Sequence, residues 1–311
     1  MDCAMRFNIV TSVFNGEAFL NETIMSVVSQ AGNFSVRYHV QDAGSTDSTL
    51  KILEGWRQRF EQGFPISCSR VDFTFASERD GGVYDGLNKA FAQCGDADAM
   101  TWINADDRFE PGAFSTVATI FSSHPDVEWL TGRQTVLAES GENLYMSPLI
   151  PLPQKAIAAG IFDGRSVVSF IQQEGTFWRP RLWEKVGGLN ANYRLAGDFD
   201  LWRRFSKHAP LVSVDAILGC FRTRSGQLSA DRKSYYAEVD AAMSEADRIA
   251  RKKATRLYKL RGYTYPVMVR HYGGPWACEP WPMSVLTFLG GRGFKLEHWR
   301  LQLARLVGLA D

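Results

Sequence analysis

The stretch Ala99-Met100-Thr101-Trp102-Ile103-Asn104-Ala105-Asp106-Asp107 runs from a buried-strand pattern straight into adjacent carboxylates. Two acids side by side at the carboxyl end of a strand repel each other and are partly desolvated, which a cation shared with a phosphate would relieve. A helix start accounts for them equally well: Asp106 or Asp107 would cap a helix beginning near Pro111, with Glu110 in its first turn. The segment alone leaves the two readings level, and its neighbours decide between them.

Upstream, β-rich runs at residues 7–14, 36–41, 71–76 and 99–103 alternate with helical patterns at 18–30, 46–60 and 83–93. That rhythm predicts an α/β fold, a mainly parallel Rossmann-like sheet flanked by helices. Strand 1 is almost wholly apolar, as a central strand buried on both faces should be. Ligands of such sheets bind at the carboxyl ends of the strands, where four polar clusters fall: 15–17, 42–45, 78–82 and 104–107. Downstream, residues 127–132 and 134–137 read as strands, 147–154 as a proline-punctuated loop, and 170–179 as a strand leading into a helix at 180–186. Helical patterns return at 198–208 and 234–258, with a strand at 212–221 between them and an aromatic, proline-rich tail from Tyr263 to Trp281. The domain boundary is expected near residue 232, with a catalytic domain at 1–232 and a C-terminal helical appendage with its aromatic tail at 233–311.

A chain of 311 residues suits one large α/β domain with an appendage. A formal net charge of +1 offers no overall field for nucleic acid, so none is expected as a partner. Five cysteines, odd in number and without a C-x-x-C pair, argue against a disulfide framework or structural zinc and fit a reducing cytoplasm. The first residues carry neither a basic n-region nor an apolar h-region, and no apolar run reaches the ~20 residues needed to span a bilayer.

The clusters suggest chemistry. Asp42 lies at a strand end, where it can accept from a base N–H or a sugar hydroxyl, while Asp47 organises the following turn and Ser45 or Thr46 caps the helix. No phosphate-loop or dinucleotide glycine motif is present, which counts against an ATPase or a nicotinamide enzyme. Gly81-Gly82 beside Arg79 and Asp80 suggests backbone approaching a ligand closely, with Arg79 available to a phosphate or carboxylate; Asp85 and Lys89 are spaced for a helical ion pair. Asp198 opens a helical pattern and suits a general base, whereas Asp200 is placed to pair with Arg203 or Arg204.

In order along the chain, Asn15-Gly16-Glu17, Glu22-Thr23-Ile24 with Ser26-Val27 up to Gln30, Asp42-x-Gly44-Ser45-Thr46-Asp47, Glu78-x-Asp80-x-Gly82-x-Tyr84-Asp85-x-x-Asn88-Lys89, Asn104-Ala105-Asp106-Asp107, and Gly175-Thr176-Phe177 through Gly197-Asp198-Phe199-Asp200-Leu201-Trp202 resemble glycosyltransferase family 2, in its colanic-acid and cell-wall-biosynthesis-like branch. The resemblance implies an inverting, nucleotide-sugar-dependent enzyme of GT-A fold acting in polysaccharide, cell-surface glycan or glycolipid synthesis. It implies that Asp42 meets the nucleotide base, that Asp80 lies beside the nucleotide, and that Asn104-Ala105-Asp106 takes the D-x-D position. Donor contacts extend to Thr11, Phe14, Asn15, Glu17, Ser45, Asn88 and Lys89. Asp106 and Asp107 would hold Mn²⁺ or Mg²⁺, Asp198 would be the base, and Arg79, Tyr84, Glu174, Gly175, Thr176, Trp178, Arg222 and Arg224 are candidates for the diphosphate or acceptor.

Two departures stand out. Asn104 replaces the first acid of D-x-D, a variation common in the branch the chain resembles that costs the site one negative charge, and Arg224 stands where relatives often place a histidine near the metal or diphosphate. The expected partners are a nucleoside-diphosphate sugar, UDP-sugar foremost, a glycan or lipid-linked acceptor, and a second copy of the chain. The basic run from Arg248 to Lys259 suits peripheral contact with the inner face of a cytoplasmic membrane; alternatively its Ile249, Leu257 and Leu260 side packs on the catalytic domain. A sugar nucleotidyltransferase would need a glycine-rich basic loop after strand 1, and a catalytically lapsed scaffold is opposed by the joint presence of Asp106 and Asp198.

Overall fold

A computed structural model describes residues 4–167, 169–270 and 273–282. The amino-terminal half winds as β1 (Met5–Val13), α1 (Leu20–Val28), β2 (Gly32–Asp42), α2 (Thr49–Glu61), β3 (Cys68–Ser77), α3 (Val83–Gln93) and β4 (Ala99–Trp102). All four strands are parallel, so the carboxyl ends of β1, β2 and β3 meet in register at Val13, Asp42 and Ser77. This is the rim that the polar clusters were expected to share.

The chain continues through β5 (Arg108–Phe109), α4 (Ala113–Ser123), β6 (Trp129–Arg133), β7 (Thr135–Leu137), β8 (Asn143–Met146), α5 (Gln154–Ala158), β9 (Thr176–Trp178), α6 (Pro180–Val186), α7 (Gly197–Ser206), β10 (Leu211–Ile217) and β11 (Gly219–Arg222). The described residues then run through α8 (Arg232–Ala241), α9 (Glu245–Lys259), β12 (Thr264–Arg270) and β13 (Trp276–Pro282). Among the described residues nine strands form one sheet in the order β13-β12-β10-β6-β9-β4-β1-β2-β3, and a smaller sheet runs β5-β11-β7-β8. Within the larger sheet β9 is antiparallel to both neighbours, β4 and β6.

Side chains that alternate along each strand divide the core between the two sheet faces. Phe7, Ile9 and Val13 of β1 join one cluster with Ile24, Val27, Phe114 and Phe177, while Val10 faces another built on Met100, Trp102, Trp129, Trp178 and Trp202. In that second layer Trp102 stacks on Trp202 with ring centres 5.7 Å apart, and Trp178 meets Trp102 edge-on at 5.3 Å.

Three expectations are corrected. The strand expected at 212–221 is two strands, because it turns at Leu218–Gly219, where a Cβ on Gly219 would lie 2.0 Å from the Glu174 carbonyl oxygen; β11 departs there into the smaller sheet. The helix expected at 234–258 is two helices, interrupted by a capping box in which Ser244 accepts from the Asp247 N–H and Asp247 from the Ser244 N–H. The aromatic tail is a β-hairpin: β12 pairs in parallel with β10, and β13 folds back on β12.

Candidate active site

The first two turns of the rim are laced together. Asn15, in the left-handed region at φ 51°, donates its N–H to Ser45 Oγ at 2.8 Å and accepts from the Thr46 N–H through Oδ1 at 2.9 Å. The Glu17 N–H donates to Asp47, and Glu17 accepts from the Ser48 N–H. Asp42 is fully buried and its carboxylate accepts from the Gly44 and Ser45 N–H groups and from the Ser45 and Ser77 hydroxyls. The turn-forming role anticipated for Asp47, which accepts from the Thr49 N–H, therefore extends to Asp42; neither Ser45 nor Thr46 caps α2. Phe14 and Arg79 are exposed at this rim.

In the third turn Asp80 accepts from the Gly82 N–H through Oδ1, while its buried Oδ2 has no partner among the described residues. A Cβ on Gly86 would sit 2.6 Å from that oxygen, so α3 is bare at this point to admit the carboxylate. Lys89 lies 3.4 Å from Asp85, the ion pair that the spacing predicts, and 3.7 Å from Glu78. Asn88 uses its amide to donate to the Leu189 carbonyl and to accept from the Leu189 N–H, latching α3 to the loop before α7.

The 104–107 turn decides the question posed by the sequence. Helix α4 starts after Gly112 with no side-chain cap, so neither aspartate is there for capping. From α1, Thr23 donates a shared hydroxyl hydrogen to the Ala105 and Asp107 carbonyls at 2.9 and 2.7 Å. Asp107, 1% exposed, accepts from the Arg222 N–H at 2.7 Å and from Asn104 Nδ2 at 2.8 Å. Asn104 Nδ2 also reaches Glu174 at 3.3 Å. Burial, reinforced by the Glu174 charge, holds the Asp107 carboxyl well above the usual carboxylate range. Burial also pushes Glu174 up to about 7, with the Asp198 and Asp106 charges adding to it. Asp106 is the more open acid of the turn, and Arg224 Nε lies 2.6 Å from its Oδ2.

Asp198 sits in the first turn of α7, where its Oδ1 accepts from the Phe199 N–H at 2.7 Å. The residue is partly exposed, yet the protein packed around it strips enough water to raise its carboxyl to about 6. Tyr84 from α3 lies beside this carboxylate and donates its hydroxyl hydrogen to the Leu195 carbonyl at 3.0 Å. Asp200 pairs with Arg204 at 2.8 Å, as its structural reading required. Glu238 of α8, which sequence reasoning did not single out, accepts from the N–H groups of Arg194, Leu195 and Ala196 at 2.9–3.2 Å and so fixes the backbone that delivers Asp198. No local signal marks it, since its partners are more than forty residues away.

Several candidates lie beneath the site rather than in it. Thr11 is buried and bonded to the Tyr38 hydroxyl. Gly175, Thr176 and Trp178 are core: Thr176 bonds to Thr131, and Trp178 belongs to the indole layer. Arg222, 1% exposed, spends its guanidinium on the carbonyls of Asp106, Ala138 and Glu139 and on Glu22, 2.6 Å away, and is a strut rather than a diphosphate ligand. Its sequence signal, an arginine after a strand, does not distinguish the two roles.

The donor set suits the expected metal poorly. Asn104 brings no charge and turns its amide hydrogens toward Asp107 and Glu174, Asp107 is sealed in, and Asp106 is already matched by Arg224. Among the described residues no group of three or more His, Cys, Asp or Glu is arranged to hold an ion.

This fold, with its polar rim, is that of the GT-A glycosyltransferases. Residues 8–161 match the sequence model of the family described as Glycosyl transferase family 2, and the chain belongs to that family. Among solved structures it is similar to S. aureus TarS 1–349 in complex with UDP-GlcNAc, at a TM-score of 0.58 and 16% identity over 83% of this chain and 76% of that one. It is also similar to the mannosyltransferase PcManGT from Pyrobaculum calidifontis in complex with GDP-Man and Mn²⁺, at 0.54 and 12% over 99% and 81%. No curated protein matches the sequence.

Proposed function

We propose that the protein is an inverting glycosyltransferase that moves a sugar from a nucleoside-diphosphate sugar, UDP-sugar foremost, to an acceptor hydroxyl in the synthesis of a polysaccharide, cell-surface glycan or glycolipid. The observation that carries this reading is Asp198: a carboxylate held near 6, fixed by the Phe199 N–H in the first turn of α7, and close enough to Glu174 for their charges to interact. A base of that strength is ionised at neutral pH and close in basicity to what proton transfer there requires. The acceptor oxygen bonds to the anomeric carbon as the bond from that carbon to the diphosphate oxygen breaks. Asp198 takes the hydroxyl proton, the nucleoside diphosphate leaves with the bonding electrons, and one displacement inverts the centre. The nucleotide sugars bound by the similar structures support the donor class. A nucleotidyltransferase is disfavoured because Glu17, an acid, closes the turn after β1. Asp198→Asn is expected to lower turnover by about 10²–10⁴-fold while nucleotide binding persists; unchanged turnover would remove Asp198 from the role.

The acceptor reading draws on α9. Ala254 and Tyr258 pack inward, whereas Ile249, Leu257 and Leu260 are 62%, 36% and 79% exposed, which overturns the expectation that this trio packs on the catalytic domain. They stand among Arg248, Lys252, Lys253, Arg256 and Lys259, a combination that fits an anionic lipid surface and hence a lipid-linked acceptor. No helix among the described residues is long and apolar enough to cross a membrane. Flotation should recover the chain with phosphatidylglycerol vesicles, less so with phosphatidylcholine, and not after Leu257→Glu with Leu260→Glu. Equal recovery of the variant would sink the contact.

A further inference from the structure

We infer that the Arg224 guanidinium occupies the place of a divalent cation, so that the Arg224–Asp106 pair binds the donor diphosphate and the protein needs no metal. This rests on the transferase reading and adds to it the identity of the group that meets the leaving charge. The observations are independent of one another. Asp106, the open acid of the turn, has Arg224 Nε at 2.6 Å. Asn104 supplies an amide where a second anionic ligand would stand, and its Nδ2 is turned toward Asp107 and Glu174. Asp107 is closed off by the Arg222 N–H and by burial. A dication here would meet one carboxylate and a guanidinium of its own sign.

The guanidinium is built in rather than draped over the surface. The Arg224 N–H donates to Gln227 Oε1 at 2.7 Å, Nη1 donates to the Ser225 carbonyl at 3.1 Å, and the Phe19 ring lies 5.9 Å below. Its Nη2 makes no hydrogen bond among the described residues, and the side chain is partly exposed. Asp106 and the Ser225 carbonyl thus orient the guanidinium through Nε and Nη1 and leave Nη2, with its two hydrogens, to the oxygens of a diphosphate. When the bond from the anomeric carbon to the diphosphate oxygen breaks, the charge that accumulates on the leaving oxygens falls against fixed N–H donors, while the acceptor proton goes to Asp198.

Calorimetric titration of the full chain with UDP, and in parallel with GDP, tests this directly. Titrations are run in EDTA and again in MnCl₂, with Mn²⁺ binding followed by its electron paramagnetic resonance signal. The wild-type chain should bind one of the nucleotides within about twofold under both conditions and leave the Mn²⁺ signal that of the free ion. Arg224→Ala, checked for folding by its melting curve, should bind about 10–100-fold more weakly in EDTA, the worth of hydrogen bonds to a charged group. Arg224→Lys should recover part of that loss, and Arg224→His with Asn104→Asp should bind only with Mn²⁺. Nucleotide binding by the wild type that requires Mn²⁺, or undiminished binding by Arg224→Ala in EDTA, would overturn the inference and leave the transferase reading intact. Failure of both nucleotides in both conditions would overturn the two together.

Discussion

Burial holds the Asp198 carboxyl near 6, so the folded chain keeps a proton there that an unfolded aspartate, ordinary at 3.8, releases earlier. The stability this contributes is complete below about pH 4 and is lost as the pH rises through 6. Turnover depends on the other form and should rise with pH through about 6 before levelling. The two dependences oppose each other at one residue. Asp198→Asn should therefore melt about 2–5 °C higher than the wild type at pH 8, with the advantage gone at pH 4, on a gain on the order of 1–2 kcal/mol; a lower melting point at pH 8 would contradict the assignment of strain to this carboxyl. At this scale the sequence was readable where partners are near: Asp47 with Thr49, Asp85 with Lys89, and Asp200 with Arg204. It was silent where they are not. Asn104 meets Glu174 across seventy positions and Asp106 meets Arg224 across 118, distances over which no local pattern carries information.

Elements were legible to the extent that one period filled them. Helices α3 and α6 stand at the bounds their patterns predict, and β1 to β4 follow their apolar runs within a few residues. The joined reading of α8 and α9 failed because continuous helical periodicity outweighed a capping box at Ser244-Glu245-Ala246-Asp247 that was present in the letters. The break has a use: it frees α8 to carry Glu238 to the start of α7. Removing that carboxylate in Glu238→Ala leaves three backbone N–H groups without their partner and should reduce kcat about tenfold or more while the donor KM holds. Glu238→Gln, which keeps an acceptor oxygen, should restore part of the rate. An equal fall in both variants accompanied by a changed donor KM would assign Glu238 to the nucleotide instead.

At the scale of the molecule, the carboxyl-terminal region completes the sheet that carries the site. Tyr265, Val267 and Val269 of β12 are buried, and Ala254 and Tyr258 of α9 enter the same core, with Tyr258 bonded to the Pro151 carbonyl. A chain cut after residue 233 would bare this surface together with the edge of β10, and is expected to aggregate or to lose its cooperative melt. Recovery of a soluble, sharply melting fragment would contradict that. For this reason point substitutions on α9, and not its removal, are the proper control for vesicle binding.

The indole layer has an optical consequence. Trp102 lies two residues before Asn104, Trp178 four after Glu174, and Trp202 four after Asp198, so each segment of the site is moored to one aromatic stack. Indoles stacked 5.7 Å apart with nearly parallel planes couple their electronic transitions. The protein should show a paired circular-dichroism band of opposite lobes that Trp202→Phe weakens without removing, since Trp178 stays stacked on Trp183 at 5.8 Å, and nucleotide binding should alter that band with no label attached.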